Sequence, residues 1–218
     1  GKYQQHDREN NCRYTGRSDG SILPKDRECD QGGNGRRRHI DGVVADTGGA
    51  FIRIAREEYG LNSISLTDIT FYEVVECLDV DRKVIDDIFI RLHDEPLSSG
   101  IEPMKDAIPV LHRFAEQAPL TFITARPEKE PIDIWLKHFL SPEVYEQMRL
   151  VAMGVHDNKT PYIKDLGLKY FVDDRLQTCR KLAKEGIIPL VYNQPWNMNG
   201  HNLQTVDDWQ AIYSLCFD

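Results

Sequence analysis

"HIDGVVADTGGAF", residues 39–51, holds two patterns back to back. "IDGVVAD" at 40–46 reads as an apolar strand running into an acidic turn. Thr47 can then cap a helix that carries Phe51, Ile54, Ala55 and Tyr59 on one face and stops at Gly60. Strand, acidic turn and helix form the opening unit of an α/β fold. Upstream the pattern ends abruptly, because "GGNGRRR" at 32–38 cannot supply the apolar residues that a buried central strand needs on both faces.

Downstream the alternation resumes after a helical interval. A helical stretch is expected from about 65 to 95, its second helix capped by Asp81 with Val84, Ile85, Ile88, Phe89 and Leu92 at helical spacing. Residues 101–117 read as helix again, kinked or restarted at Pro109. Then come a strand in "PLTFIT", a helix over 128–140 with Ile132, Trp135, Leu136 and Phe139 inward, and a strand in "MRLVAMG". A short helix in "TPYIKDLG" follows, with Pro161 early and Gly167 at its end. "KYFVDD", "RLQTCRKLAKEG", "IPLVYN" and "TVDDWQAIYSL" complete the strand, helix, strand, helix sequence. The expected fold is α/β: a doubly wound, Rossmann-like parallel sheet with a small helical cap inserted after strand one. The implied division is an arm at 1–39, a core at 40–49 and 100–218, and a cap at 50–99.

Composition narrows the function classes. The net charge of −8 argues against a nucleic-acid polymer as partner, and no apolar run approaches a membrane span. The five cysteines are scattered, which fits neither a disulfide framework nor a zinc ribbon. With no signal segment evident, a cytoplasmic location is the expectation. Residues 1–39 carry +3 and the remainder −11. With so few apolar residues, the arm reads as disordered or loosely draped, with a basic phosphate-binding arm as its functional alternative.

Ligands of such sheets bind at the carboxyl ends of the strands. Strand one ends in His39, Asp41 and Asp46, and the "PLTFIT" strand ends in Thr124, followed by Arg126. Lys159 opens the short helix before "KYFVDD", which ends in Asp173 and Asp174. Carboxylates suit a hard cation such as Mg²⁺, and Thr, Lys and Arg suit phosphate oxygens. Two bland readings stand beside this one. Asp46 reads first as a cap or brace of its turn, and the 173/174 pair could cap the following helix. Trp196 suits either packing or stacking on a base.

The order and spacing of these residues resemble the haloacid-dehalogenase-like phosphohydrolase superfamily. "HIDGVVADT" matches its Asp-x-Asp-Gly opening in all but the first residue. "TFITARP", "NKTPYIKDLG" and "YFVDDR" match the other three motifs in order. The tail "YNQPWN…VDDWQAI" resembles the 5′(3′)-deoxyribonucleotidase branch. The resemblance implies Mg²⁺-dependent hydrolysis of a small phosphorylated substrate, a nucleoside monophosphate, with a homodimer as the assembly to test. Asp41 would be the general acid/base, its backbone carbonyl on the metal. Thr124 and Lys159 would hold the transferring phosphoryl group, and Lys159 would also orient the nucleophile. Arg126 would serve substrate phosphate or a cap contact, and Asp173 and Asp174 would complete the Mg²⁺ site.

The family's nucleophile is the first Asp of the opening motif, and His39 stands there. Three readings follow. The chain is a pseudoenzyme that binds phosphate or nucleotide without turnover, since imidazole is a poor Mg²⁺ ligand. Alternatively, His39 is itself a nucleophile passing through a phosphohistidine. In the third reading residues 1–39 replace a natural apolar strand ending in Asp, which would explain the composition break and the motif mismatch together. That reading predicts a short first strand with a poorly paired N-terminal half.

Overall fold

In the computed structural model, which describes residues 42–126, 128–154 and 158–217, the acidic turn leads straight into helix α1 (Thr47–Tyr59). Asp46, not Thr47, is its N-cap: Asp46 Oδ1 accepts from the backbone N–H of Gly49 at 2.8 Å, and Thr47 is the first helical residue. Gly60 ends the helix at φ 67°, a left-handed position that suits glycine. Phe51, Ile54 and Ala55 are buried as expected, whereas Tyr59 is exposed. Asp46→Ala should cost about 1 kcal/mol of stability in urea unfolding. Ligand affinity should stay unchanged, since the side chain serves the helix. The arm, His39 and Asp41 lie outside the described residues.

Two 3₁₀ turns (Leu66–Asp68 and Val74–Glu76) precede helix α2 (Arg82–Asp94), where Asp81 accepts from Lys83 N at 2.8 Å. The helix expected over 101–117 is shorter: α3 spans Ala107–Ala115. Pro109 therefore sits in the first turn, where its missing N–H has no intrahelical partner to lose. Residues 101–106 instead pair with the acidic turn. Met104 N donates to Val44 O at 2.7 Å, Asp46 N donates to Glu102 O at 2.8 Å, and Ala45 bridges Pro103 antiparallel. Residues 42–46 thus form one bridge rather than the extended strand expected there.

The remaining elements follow the expected order: β1 (Thr121–Thr124), α4 (Glu130–Phe139), α5 (Pro142–Gln147), β2 (Arg149–Ala152), α6 (Thr160–Asp165), β3 (Tyr170–Asp173), α7 (Leu176–Lys184), β4 (Ile188–Tyr192), β5 (Thr205–Val206) and α8 (Trp209–Phe217). Helix α5 and strand β5 were not expected. The "SPE" at 141–143 carried the helix signal: Ser141 Oγ accepts from Val144 N, and Pro142 opens the first turn. Among the described residues the strand pairs are parallel, β1 with β2 and β3 with β4 and then β5. Helical crossovers link β1 to β2 and β3 to β4, and a loop over 193–204 carries the chain from β4 to β5. Pro189 is tolerated inside β4 because β5 reaches only Val191 and Tyr192.

Alternation along the strands shows that both sheet faces are covered. Phe122 and Val172 pack on a large cluster built around Phe51, Leu92, Trp135 and Ile212. Their neighbours Ile123 and Phe171 join a second cluster with Ile163 and Leu182. The helical segment shares the large cluster with α4 and α8: Phe51 and Phe89 stack at 5.0 Å between centroids, and buried Trp135 donates from Nε1 to Ile101 O at 2.8 Å. Each such fully buried side chain stabilises the fold by about 1.5–3 kcal/mol. No helix among the described residues is long and apolar enough to cross a membrane.

Candidate active site

Thr124 ends β1, buried, with its Oγ1 accepting from Arg126 N at 3.2 Å. That bond turns the chain out of the strand. Arg126 is 5% exposed, and its Nη1 donates to the carbonyls of Leu92 (3.2 Å) and His93 (3.4 Å) in the last turn of α2. A cation at the carbonyl end of a helix is favoured by the dipole and satisfies acceptors the helix leaves over. These two bonds join Arg126 to the helical segment. Arg126→Ala should therefore cost about 1.5–3 kcal/mol, the worth of hydrogen bonds from a charged group, in urea unfolding. Unchanged stability with weakened nucleotide binding would point to the phosphate role instead.

Lys159 and the acidic pair meet at the carboxyl end of β3. Lys159 Nζ donates to Asp173 Oδ2 at 2.5 Å, with side-chain exposures of 18% and 3%. Asp173 Oδ1 accepts from Arg175 N at 2.8 Å, which starts α7. The cap residue of α7 is Arg175, with no side-chain cap bond, so neither Asp173 nor Asp174 caps the helix as the sequence allowed; Asp173 braces the turn ahead of it. A carboxylate has about four lone-pair sites, so two bonds leave acceptor capacity. Behind the pair, the Cys179 thiol is pushed up, first by burial and then by Asp173 and Asp174, and stays protonated.

Asp174 faces the chain that follows Asp41. A Cβ on Gly42 would stand 3.0 Å from Asp174 Oδ2, 3.1 Å from Trp196 Cζ2 and 3.3 Å from Gln194 Nε2. A side chain at 42 would push these three neighbours back by a few tenths of an ångström, so glycine suits this approach of the first-motif and fourth-motif segments. The contact is braced by a loop whose roles the sequence reading missed. Buried Gln194 donates from Nε2 to Gly42 O at 2.7 Å. Buried Asn197 donates from Nδ2 to Asp174 O (2.7 Å) and Tyr192 O (2.8 Å), and accepts from Gln194 N at 3.0 Å. Two amide side chains flanking Pro-Trp just after a strand were the available signal. Trp196 lies against Gly42 and Gly48, which is packing.

Thr124, Lys159, Asp173 and Asp174 line one cleft between β1 and β3. Arg126 Nη1 bonds the end of α2, and Asp46 Oδ1 caps α1. Among the described residues no three Asp, Glu, His or Cys side chains gather as a metal site. Asp173 and Asp174 supply two groups of hard oxygen ligands of the type Mg²⁺ takes. Asp41, expected to turn its backbone carbonyl to the metal, precedes Gly42 directly and lies outside the described residues.

Residues 38–217 match the sequence family described as "5' nucleotidase, deoxy (Pyrimidine), cytosolic type C protein". No curated protein matches the chain. Among solved structures, a haloacid-dehalogenase-superfamily hydrolase from Ehrlichia chaffeensis is similar at 12% identity, covering 79% of this chain and 90% of its own, with a TM-score of 0.43.

Proposed function

The chain belongs to the cytosolic type C 5′-nucleotidase family, and from that premise we propose that its cleft binds the phosphate of a pyrimidine nucleoside monophosphate. The observation that carries this reading is the convergence of Thr124, Lys159, Asp173 and Asp174 on that one cleft. Thr124 Oγ1 and Lys159 Nζ would donate to phosphoryl oxygens. Asp173, pinned by Lys159, would hold that ammonium in place. Asp173 and Asp174, with Asp41, would hold Mg²⁺, which when bound neutralises charge on the transferring phosphoryl group. Asp41 would give a proton to the leaving nucleoside oxygen and later take one from water. The family's description as cytosolic supports a cytosolic setting for the reaction.

A second reading, binding without turnover, is favoured by His39 at the nucleophile position. Both share a test. Calorimetric titration with dUMP and Mg²⁺ should show one site, weakened at least about tenfold, or about 1.4 kcal/mol, by Thr124→Ala. Absence of binding by the folded chain would remove both readings and leave a structural or interaction module.

A further inference from the structure

Resting on the reading that Asp173 and Asp174 hold Mg²⁺, we infer that Asn197 and Gln194 are positioning residues. Through backbone carbonyls they fix Asp174 against the first-motif chain, and that placement sets the affinity of the acidic pair for a divalent cation.

The two amides sit in the loop over 193–204, and both are buried, Gln194 at 7% exposed and Asn197 at 1%. At that depth an amide without partners costs its full desolvation. Asn197 is bonded on both sides. Its Nδ2 donates to Asp174 O (2.7 Å) and Tyr192 O (2.8 Å), and its Oδ1 accepts from Gln194 N (3.0 Å). Two carbonyls on one side and an N–H on the other leave one orientation for the group. Asp173 pairs with Val191 in the last register of β3 and β4, so residues 174 and 192 come next along the two strands. One amide takes up both of their carbonyls where the ladder stops.

Gln194 completes the clamp. Its Nε2 donates to Gly42 O at 2.7 Å, and its own carbonyl accepts from Asn197 N at 3.0 Å, a second bond between the two amide residues. Gly42, Gln194, Asn197 and Asp174 are thus linked in turn, and the ring closes where Gly42 meets Asp174 Oδ2. His201 holds the clamp from its far side. Its Nδ1 accepts from Leu203 N (3.3 Å), which leaves Nε2 as the donor to Asn197 O (3.0 Å).

Holding the peptide after Asp174 fixes the direction in which its carboxylate leaves the backbone. Holding Gly42 O does the same for the chain directly after Asp41. The two bonds reach across 152 and 23 residues of sequence, and both end on segments of the site. Losing a residue that orients a metal ligand typically costs about 10–100-fold in metal affinity.

The test uses the full chain and Mn²⁺, with free ion counted by its electron paramagnetic resonance signal. The parent should bind Mn²⁺ at one site for which Mg²⁺ competes and which Asp174→Asn removes. Asn197→Ala should raise the Mn²⁺ Kd at least about tenfold. Gln194→Met, which keeps the length of the side chain without its amide, should raise it as well, and it decides alone if Asn197→Ala does not fold. Asn193→Ala is the control. It breaks another bond of the same loop, from Asn193 Nδ2 to Asp207 Oδ1, and should leave the Kd unchanged whatever it costs in urea unfolding. An unchanged Kd in the folded clamp variants would overturn the assignment. So would an equal rise in Asn193→Ala, the mark of a loop loosened as a whole. A parent chain that binds no Mn²⁺, or binds it no better than Asp174→Asn, would overturn the metal reading itself and the clamp's role with it.

Discussion

His39→Asp should raise Mg²⁺-dependent phosphate release from pyrimidine nucleoside monophosphates by at least about 10³-fold, a barrier change of roughly 4 kcal/mol. In the family's chemistry a carboxylate oxygen at this position attacks phosphorus while the bond to the nucleoside oxygen breaks. On the proposed reading Asp41 would protonate the departing oxygen, and water, deprotonated by Asp41, would then attack phosphorus and release phosphate. Imidazole supplies neither that oxygen nucleophile nor a hard oxygen ligand, so one substitution removes two functions. A second variant, adding Arg36→Val, Arg37→Leu and Arg38→Val, separates the nucleophile from the strand that carries it. If His39→Asp alone is active, the backbone at 39–41 is already placed. Activity only in the combined variant would show that the apolar strand must form first. Equal activity of the parent chain and His39→Asp would sink the nucleophile assignment and give His39 a role of its own.

Lys159→Met is the substitution expected to cost most in stability. It leaves the Asp173 carboxylate, 3% exposed, without its ammonium partner. Removing one member of a buried ion pair costs about 3–5 kcal/mol, because the remaining charge is neither solvated nor paired. The double variant Lys159→Met with Asp173→Asn should recover about half or more of that loss, since neither charge of the pair then remains. Urea unfolding of the parent and the three variants closes the cycle. Neither the single nor the double variant should bind dUMP, because the phosphate-binding ammonium is gone in both. A loss under about 1 kcal/mol in the single variant would mean that solvent or Arg175 screens Asp173 well enough to make the pair dispensable.

How far the sequence carried depended on the range of the interactions. Asp46, Asp81 and Gly60 could be placed on helix ends because capping is decided by residues two to four positions away. The strands "TFIT", "YFVD" and "IPLVY" were legible because apolar runs of that length between turn residues have few other uses. Thr124, Lys159, Asp173 and Asp174 could be nominated together because strand ends on one sheet share a rim. The two-residue β5 escaped notice because a strand that short is stabilised by Val191 and Tyr192 opposite it, not by its own pattern.

By itself the sequence determined the α/β alternation, the four motif segments with their family, and the anomaly at residue 39. Each is written in local chemistry: periodicity, caps, and residue types at fixed spacing. Only the tertiary structure decided that Arg126 closes the end of α2, and that Gln194 and Asn197 brace Gly42 and Asp174. It alone also shows that β1 and β3 line one cleft with Lys159 and Asp174. Those partners lie tens of residues or more apart in the chain, and no local preference records which distant carbonyl a buried amide or guanidinium will find.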